Sequence, residues 1–465
     1  MAINRESAND VSFTLKIIRD NEEVQSRDDE DKVNDFVISC TITEGIDSAG
    51  IQAEIMLQDS ADLISTLTGS ETWKIEIQTG NSEAVYYFVA YNIDSRARSG
   101  QSEAYIIQCV SIEYMVNESV NIFGSSRKLF NSNTKSKDIV ETLIERNLGT
   151  NKKVFAEDSQ NDHQFIACNW RVFDTIYWVA QRSVRPSTSG TNSQNGYIFW
   201  ENRMGYHFKS LDKIIEDVNS QDYDIKTDAG TGKARLYRYS YDQKKAGDED
   251  SDNFKINSIV FPEDRNYLLA LRNGSWSGYS VSLDPTILTN SKLSNEAPTA
   301  FSSHKYNIRE VWNDMDHVKC NTSDGTRNPV EDFTEDVKQL IDRPKRIRYS
   351  WLPNRIFDQK GPTGTQDFKL YDEMPYLQAY QHLRVKSFKN VKLIVSIPGN
   401  VDLFSGYGLD VYIPKTKSNG DKIDPDQKYS GLYVIGGLRH KFSGTDQTLN
   451  TEVLLYRDSV PANPS

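Results

Sequence analysis

The feature that most constrains this chain is that it repeats itself faintly at its two ends. Near the start, Ala61-Asp62-Leu63-Ile64-Ser65 precedes Gly69 and then Trp73-Lys74-Ile75-Glu76-Ile77. Near the end, Val401-Asp402-Leu403-Phe404-Ser405 precedes Gly406 and Gly408 and then Leu409-Asp410-Val411-Tyr412-Ile413. Successive side chains of a strand point to opposite faces, so each alternating run reads as a strand with one buried face. Each copy also follows one apolar strand and precedes further strands. Two similar small β-domains at opposite ends predict a subunit with two near-equivalent faces, and three such subunits would offer six similar positions around a ring.

The surrounding residues extend this reading. From 11 to about 118 the strand candidates are Phe13–Ile17, Phe36–Ile42, Ile51–Leu57, Trp73–Ile77, Tyr86–Tyr91 and Tyr105–Ser111. Gly45, Gly50, Gly80 and Gly100 separate them, a spacing that predicts a small barrel or sandwich. The pattern then changes. Ser136–Gly149 and Val172–Ala180 carry helical apolar stripes, the first with a Ser at its start and a Gly at its end. Tyr197–Trp200 and Tyr206–Phe208, joined through Glu201–Gly205, predict a hairpin. A charged linker follows over 242–253, then strands at Phe254–Phe261 and Tyr279–Leu283, with the segment between them open to helix or strand. Residues 291–370 read as irregular, and a short helix over 375–384 starts near Pro375, with Tyr376, Leu377, Tyr380 and Leu383 on one face.

The expected fold is therefore mainly β with an α+β insert. The expected domains are a first β-barrel at 8–118, an α+β domain at 119–240, a second β-barrel from 254–290 with 384–460, and an insertion at 291–383. With 465 residues and 37% hydrophobic content, the chain is long enough for several cores.

Composition removes several functions. The formal net charge of −12 argues against a nucleic-acid surface, and the short basic run from Arg343 to Arg348 reads as a solvated or interface segment. Cys40, Cys109, Cys168 and Cys320 lack CxxC spacing, so neither a disulfide framework nor a zinc site is expected. No run reaches the ~18 apolar residues of a membrane span, and the first ten residues have no signal-peptide core, so a soluble product of a reducing cytoplasm is expected. Asp248, Asp250 and Asp252 open like a calcium loop, but Asn253 and Ile259 stand where Gly and a bidentate Glu are needed. The histidines His163, His207, His304, His317, His382 and His440 show no metal spacing and read as structural. Glu113 and Glu118 form an imaginable glycosidase dyad, without specific support among 66 acidic residues. No catalytic, cofactor-binding or metal residue is assigned, and no enzyme is expected.

Several runs carry a resemblance. Cys168–Ser183 (CNWRVFDTIYWVAQRS), Gly196–Asn202 (GYIFWEN), Gly205–Leu211 (GYHFKSL), Leu393–Asn400 (LIVSIPGN), Lys428–Ile435 (KYSGLYVI) and Leu438–Phe442 (LRHKF) resemble the central hub protein of T-even-type contractile phage baseplates. The order of β-domain, α/β insert and second β-domain carries most of the likeness. The polar segments 186–195 and 291–370 look like insertions. The resemblance implies a homotrimer whose two barrel-like tube domains per subunit form a pseudo-sixfold ring. It implies a virion location in the tail baseplate of a myovirus, made late and assembled in the host cytoplasm. The implied partners are the tail tube or tube-initiator baseplate proteins on one side, a cell-puncturing spike with or without a lysozyme domain on the other, and wedge proteins. DNA would pass through the lumen without specific binding.

Two other readings remain: a tail-associated glycan-binding or glycan-degrading protein, on the strength of its aromatic and acidic residues, and a hub of a contractile secretion system. Chains of the latter kind run on into a spike, whereas the second barrel here is followed shortly by Asp458 and Pro461, so the spike is expected as a separate chain. For the subunit interface, the helix face of Tyr376, Leu377, Tyr380 and Leu383 is the candidate, against the alternative that this face packs inside the chain.

Overall fold

The computed structural model describes residues 11–24, 33–80, 82–122, 129–186, 194–242, 253–262, 266–283, 301–313, 320–322, 325–343, 346–351, 370–415, 425–426 and 428–458. The fold is mainly β, and among the described residues one thirteen-stranded sheet draws on both ends of the chain. Two sets of strands build it. The first set is β1 (Val11–Arg19), β2 (Val37–Gly45), β3 (Gln52–Asp59), β4 (Thr72–Thr79), β5 (Ser82–Ser99) and β6 (Ser102–Ser111). The second is β7 (Tyr237–Ser240), β8 (Ser258–Val260), β9 (Val391–Pro398), β10 (Gly408–Tyr412), β11 (Gly431–Ser443) and β12 (Thr448–Arg457), and the two-residue strand Glu22–Glu23 adds to the edge beside β1.

The sets share one pairing scheme. In the first, β1 pairs β4, β2 pairs β3, β3 pairs β6, β4 pairs β5 and β5 pairs β6. In the second, β7 pairs β10, β8 pairs β9, β9 pairs β12, β10 pairs β11 and β11 pairs β12. One irregularity also corresponds, although β5 bulges again between Asp94 and Ala97 where β11 runs on regularly. β5 bulges between Ala90 and Asn92 against β6, and β11 bulges between Ile435 and Gly437 against β12. Counting outward from those bulges sets Trp73, Ile75 and Ile77 against Leu409, Val411 and Ile413, all buried. The repeated runs are therefore the same strand of two copies of one unit.

The copies differ where the chain enters them. β1 is antiparallel to β4, whereas β7, which arrives from the insert, is parallel to β10. β7 lies within 119–240, the stretch expected to form the α+β domain, yet its buried Tyr237 and Tyr239 belong to the second β core with Leu393, Val395 and Val453. The charged linker marks a composition boundary one strand too late.

The copies are joined through β11. Its first residues pair with β10 of their own unit, whereas Gly437–Ser443 pair with Ser39–Gly45 of β2. The switch falls at Gly436, where a Cβ would stand 2.2 Å from the Tyr456 ring. Beyond it, Phe442 stacks on Phe13 with ring centroids 4.1 Å apart, and Phe442, Leu449 and Val401 all sit in the core of the first unit. The two β halves, each with its own core, are joined by one continuous sheet.

Between the halves lie α1 (Ile112–Ser119), α2 (Ser136–Leu143), α3 (Val172–Ala180) and α4 (Leu211–Asn219). The buried stripes of α2 and α3 cover a hairpin, Tyr197–Asn202 against Gly205–Ser210, whose second strand runs parallel to Lys153–Ala156. Gly205 is required there: its φ is 142°, and a Cβ would meet the Lys153 carbonyl oxygen at 2.3 Å.

The segment left open between Phe261 and Tyr279 holds α5 (Tyr267–Arg272), capped where the Asn266 side chain accepts from the Leu269 N–H at 2.9 Å. The stretch 291–370, expected to be irregular, contains strands at Phe301–Asn307 and Ile347–Trp351 on either side of Ser277–Leu283, and the helices α6 (Ile308–Asn313) and α7 (Glu335–Asp342). Short elements in polar sequence carry little periodicity, and these leave no pattern along the chain. The last helix, α8 (Leu370–Phe388), begins before the expected 375 and carries Pro375 inside it rather than at its start. Among the described residues, no helix is long and apolar enough to cross a membrane.

Truncating Phe442 to Ala empties a buried aromatic site at the seam and removes a stacked partner. We expect Phe442→Ala to cost about 3–5 kcal/mol, read as a lowered urea midpoint, against less than ~1.5 kcal/mol for Phe442→Leu.

Candidate functional site

The polar side chains most deeply committed in the structure gather where the insert hairpin meets both β halves. Glu44 of β2 is buried and accepts from the Ser405 N–H at 2.7 Å and the Arg203 N–H at 3.3 Å. The Ser405 carbonyl in turn accepts from Trp200 Nε1 at 3.2 Å and Asn202 Nδ2 at 3.0 Å. Arg203, at the hairpin tip, donates to the Val401 carbonyl at 2.9 Å and to the Glu83 carbonyl at 3.1 Å. One hairpin turn thus holds the second copy of the repeated motif and two strands of the first unit together.

On the strand before the turn, buried Glu201 accepts from Ser111 Oγ at 2.7 Å, from the Ile51 N–H at 3.3 Å and from Lys152 Nζ at 2.5 Å. Lys152 also donates to Glu113 at 2.5 Å, and Thr150 Oγ1 donates to Glu113 at 2.6 Å. Burial alone would lower the Lys152 ammonium, but the charges of Glu201 and Glu113 outweigh it and raise its pKa. Burial raises Glu201 despite Lys152, whereas at Glu113 the same lysine overcomes burial and the pKa falls. Burial pushes Glu44 up to about 7, against the N–H bonds from Ser405 and Arg203 that favour its carboxylate.

The repeated motif is pinned separately in each unit. In the first, buried Glu71 accepts from Arg19, from the Thr68 N–H at 2.7 Å and from the Gly69 N–H at 2.8 Å. In the second, Asp402 accepts from Tyr237 OH at 2.6 Å and Thr227 Oγ1 at 2.8 Å. All of these contacts position strands.

The sequence candidates fall in different places. Leu377, Tyr380 and Leu383 are buried in this chain's own interior and Tyr376 is half-buried, so the face proposed for a second copy is largely covered by the chain itself. Tyr380 and Leu383 pack with Tyr306 and Val311 from the insertion. Tyr380 OH donates to Asp212 of α4 at 3.1 Å. One turn on, buried Arg384 donates to Asp212 at 2.7 Å and to Asp458 at 2.9 Å. Helix α8 therefore bolts the insertion to α4 and to the end of the second unit.

Glu113 and Glu118 do not form a pair facing one cleft: Glu113 is held by Lys152, and Glu118 accepts from Arg171 at 2.6 Å. His163, His207 and His440 are buried and bonded to Ser136 (2.9 Å), Asn202 (3.0 Å) and Thr451 (2.9 Å). Burial lowers His163 and His440 to about 3 and His207 well below 6.5, so all three are neutral. Cys40 and Cys109 are buried in the first β core, as their apolar settings predict, and Cys168 is exposed. The described residues hold no group of His, Cys, Asp and Glu suited to a metal ion. Asp248, Asp250 and Asp252, His317, most of the segment 186–195 and part of the basic run from Arg343 to Arg348 lie outside the described residues.

No protein-family model and no curated protein matches the sequence. The 43 kDa tail protein of prophage MuSo2 from Shewanella oneidensis aligns with a TM-score of 0.51 at 9% identity, over 96% of this chain and 99% of that one. The chain has that tail protein's fold. A tail protein from Neisseria meningitidis aligns with a TM-score of 0.47 at 10% identity, over 96% of this chain and 97% of that one. A type VI secretion component of Escherichia coli, described as structurally similar to T4 bacteriophage tail proteins, aligns at 0.40 and 9% identity, over 97% of this chain and 79% of that one.

Two outcomes test the junction. A buried carboxyl whose pKa is raised in the folded state binds its proton more tightly there than in the unfolded chain. Glu44 therefore destabilises the fold progressively as pH rises from about 4.5 to about 7. Glu44→Gln should flatten that part of the stability–pH curve, measured by urea unfolding across pH 4–8; an unchanged slope would refute the assignment. Arg384→Ala leaves Asp212 and Asp458 without their buried cation, and should cost about 3–5 kcal/mol in the same assay.

Proposed function

We propose that this chain is a structural hub of a contractile phage tail. In this reading three copies form a ring with six near-equivalent β units, which joins a sixfold tail tube to a threefold spike in the baseplate of the virion. The observation that carries the reading is the duplicated pairing scheme, with the same strand partnerships, one matching bulge and matching buried positions twice in one chain. A threefold object can match a sixfold one only if each subunit presents two like faces, and this chain is built from two like units. The shared fold with a prophage tail protein supports placement in a tail.

The chain's role in this reading is mechanical. Buried Glu44 and Glu201, with His207 and His440, bind to strands and turns around the junction, which suits a part that must hold two units in fixed register. Three copies at a formal charge of −12 each suit a conduit whose wall does not retain phosphate, so DNA passes without specific contacts. The spike, the tube or tube-initiator proteins and the wedge proteins are the proposed partners, and no catalytic step is assigned.

Light scattering on the purified chain, alone and mixed with its candidate spike protein, tests the reading. A threefold mass, either alone or once the spike is added, is the expected outcome. A monomer that ignores the spike would overturn the hub and redirect attention to glycan binding.

A further inference from the structure

The seam between the two β units has a counterpart with nothing paired to it among the described residues. Inside the chain, the outer half of β11 passes beyond its own unit and pairs with β2 of the other. The same half of β5, Ala90–Ser99, also passes beyond its own unit, because β4 pairs with β5 only as far as Val89. Among the described residues, no strand pairs with the second edge of that arm. The counterpart of β2 is β8, and the described residues pair Ser258–Val260 only with β9. One molecule therefore carries one completed seam and the two separate halves of another.

We infer that the β5 arm of one copy adds to β8 of a second copy, repeating between molecules the ladder that β11 makes with β2 within one. The inference rests on the assembly of copies proposed above and assigns the strands that join them. The equivalence of the two units sets the register. The bulges at Ala90 and Ile435 align Cys109 with Leu455, hence Ala104 with Asn450, and so Ala97, paired to Ala104 past a second β5 bulge that β11 lacks, with Lys441, paired to Asn450. Lys441 pairs with Thr41, whose place in the second unit is taken by Val260, since Thr41 pairs with Glu54 and Val260 with Ile394. The intermolecular ladder then sets Ala97 opposite Val260, Arg98 opposite Ile259 and Ser99 opposite Ser258. The last pair repeats the intramolecular Ser443–Ser39 pair.

The free edges have the surface such a ladder needs. Tyr91 and Ile93 on the arm are 53% and 44% exposed, and Val260 and Phe261 at the β8 edge are 54% and 42% exposed. Soluble proteins guard open edges with charges and seldom leave them lined with apolar side chains. The two seams differ in one respect. Phe442, which fills the internal seam, has Arg98 as its counterpart, and Arg98 lies 3.7 Å from Glu103, which also pairs with Arg96. The seam inside one chain is apolar and the seam between chains is polar at the same place, as suits a contact made after folding. Because arm and edge lie on different parts of the molecule, the contact is heterologous: copies joined this way close into a ring or run on as a filament.

Paired serines supply the test. Cross-strand neighbours lie within disulfide range, so Ser99→Cys with Ser258→Cys, in a chain with Cys168 and Cys320 replaced by Ser, should link copies on oxidation. Dimer and trimer bands on a non-reducing gel, absent from either single variant and lost on reduction, are the expected result, with the spike added if trimers require it. Ser39→Cys with Ser443→Cys should link only within one chain. Val260→Lys should weaken self-association about tenfold without lowering the thermal midpoint of the monomer. A threefold mass without interchain bands, and indifferent to Val260→Lys, would overturn the inference while leaving the hub in place. Bands that climb past the trimer would support the strand pairing and overturn the closed ring. A monomer under all conditions would overturn both.

Discussion

The architecture depends on one strand that belongs to two units. An unpaired strand edge leaves a row of backbone N–H and C=O groups without partners, and β2 would present such an edge if its unit stood alone. β11 supplies the missing partners after turning out of its own unit at the Gly436 bulge. The turn needs a residue without a side chain because the Tyr456 ring occupies the space a Cβ would take. Past the bulge the strand carries Phe442 into the first core, so the hydrogen-bond ladder and the apolar contact fix the same relationship. Neither half can shift by one residue without moving its buried face to the outside.

The insert hairpin braces this seam from the side. Buried polar groups need partners, and at the hairpin turn the Glu44 carboxylate and the Ser405 carbonyl find theirs in three parts of the chain at once, while Ser405 Oγ and Arg203 Nε have none among the described residues. Glu44 belongs to the first unit, Ser405 to the second, and Trp200 and Asn202 to the hairpin, yet all meet at one carbonyl and one carboxylate. Loss of any one part leaves a buried group unpaired in the other two. Helix α8 repeats the device further out, with Arg384 bridging α4 and the end of the second unit.

Much of the fold was legible in the sequence. The alternation of Phe13, Leu15 and Ile17 and of Trp73, Ile75 and Ile77 gave strands with one buried face, and the Ala61 and Val401 runs marked corresponding turns of two like units. What was not legible was long-range partnership. Glu44 and Glu201 are two among 66 acidic residues, and nothing local separates a carboxylate that will be buried from one that will stay in water. The glycine pair Gly436–Gly437 inside an alternating strand was the available sign of the bulge, since glycine in a strand interior marks a bend or a close approach. Tyr376, Leu377, Tyr380 and Leu383 showed a helix face correctly, but amphipathicity says only that a face is covered, not by what.

The ladder from Ser39–Ser443 to Gly45–Gly437 also has a consequence in time. It joins segments at opposite ends of the chain, among the most non-local contacts a polypeptide can make, and such contacts form late. During synthesis at roughly 5–20 residues per second, β2 emerges some tens of seconds before its partner. Through that interval the first unit has an unsatisfied edge, and a neighbouring nascent chain offers the same kind of strand. Early pairing with the wrong molecule is therefore a hazard intrinsic to this topology, and the seam that unifies the subunit is also a checkpoint that only a chain synthesised past Ser443 can pass.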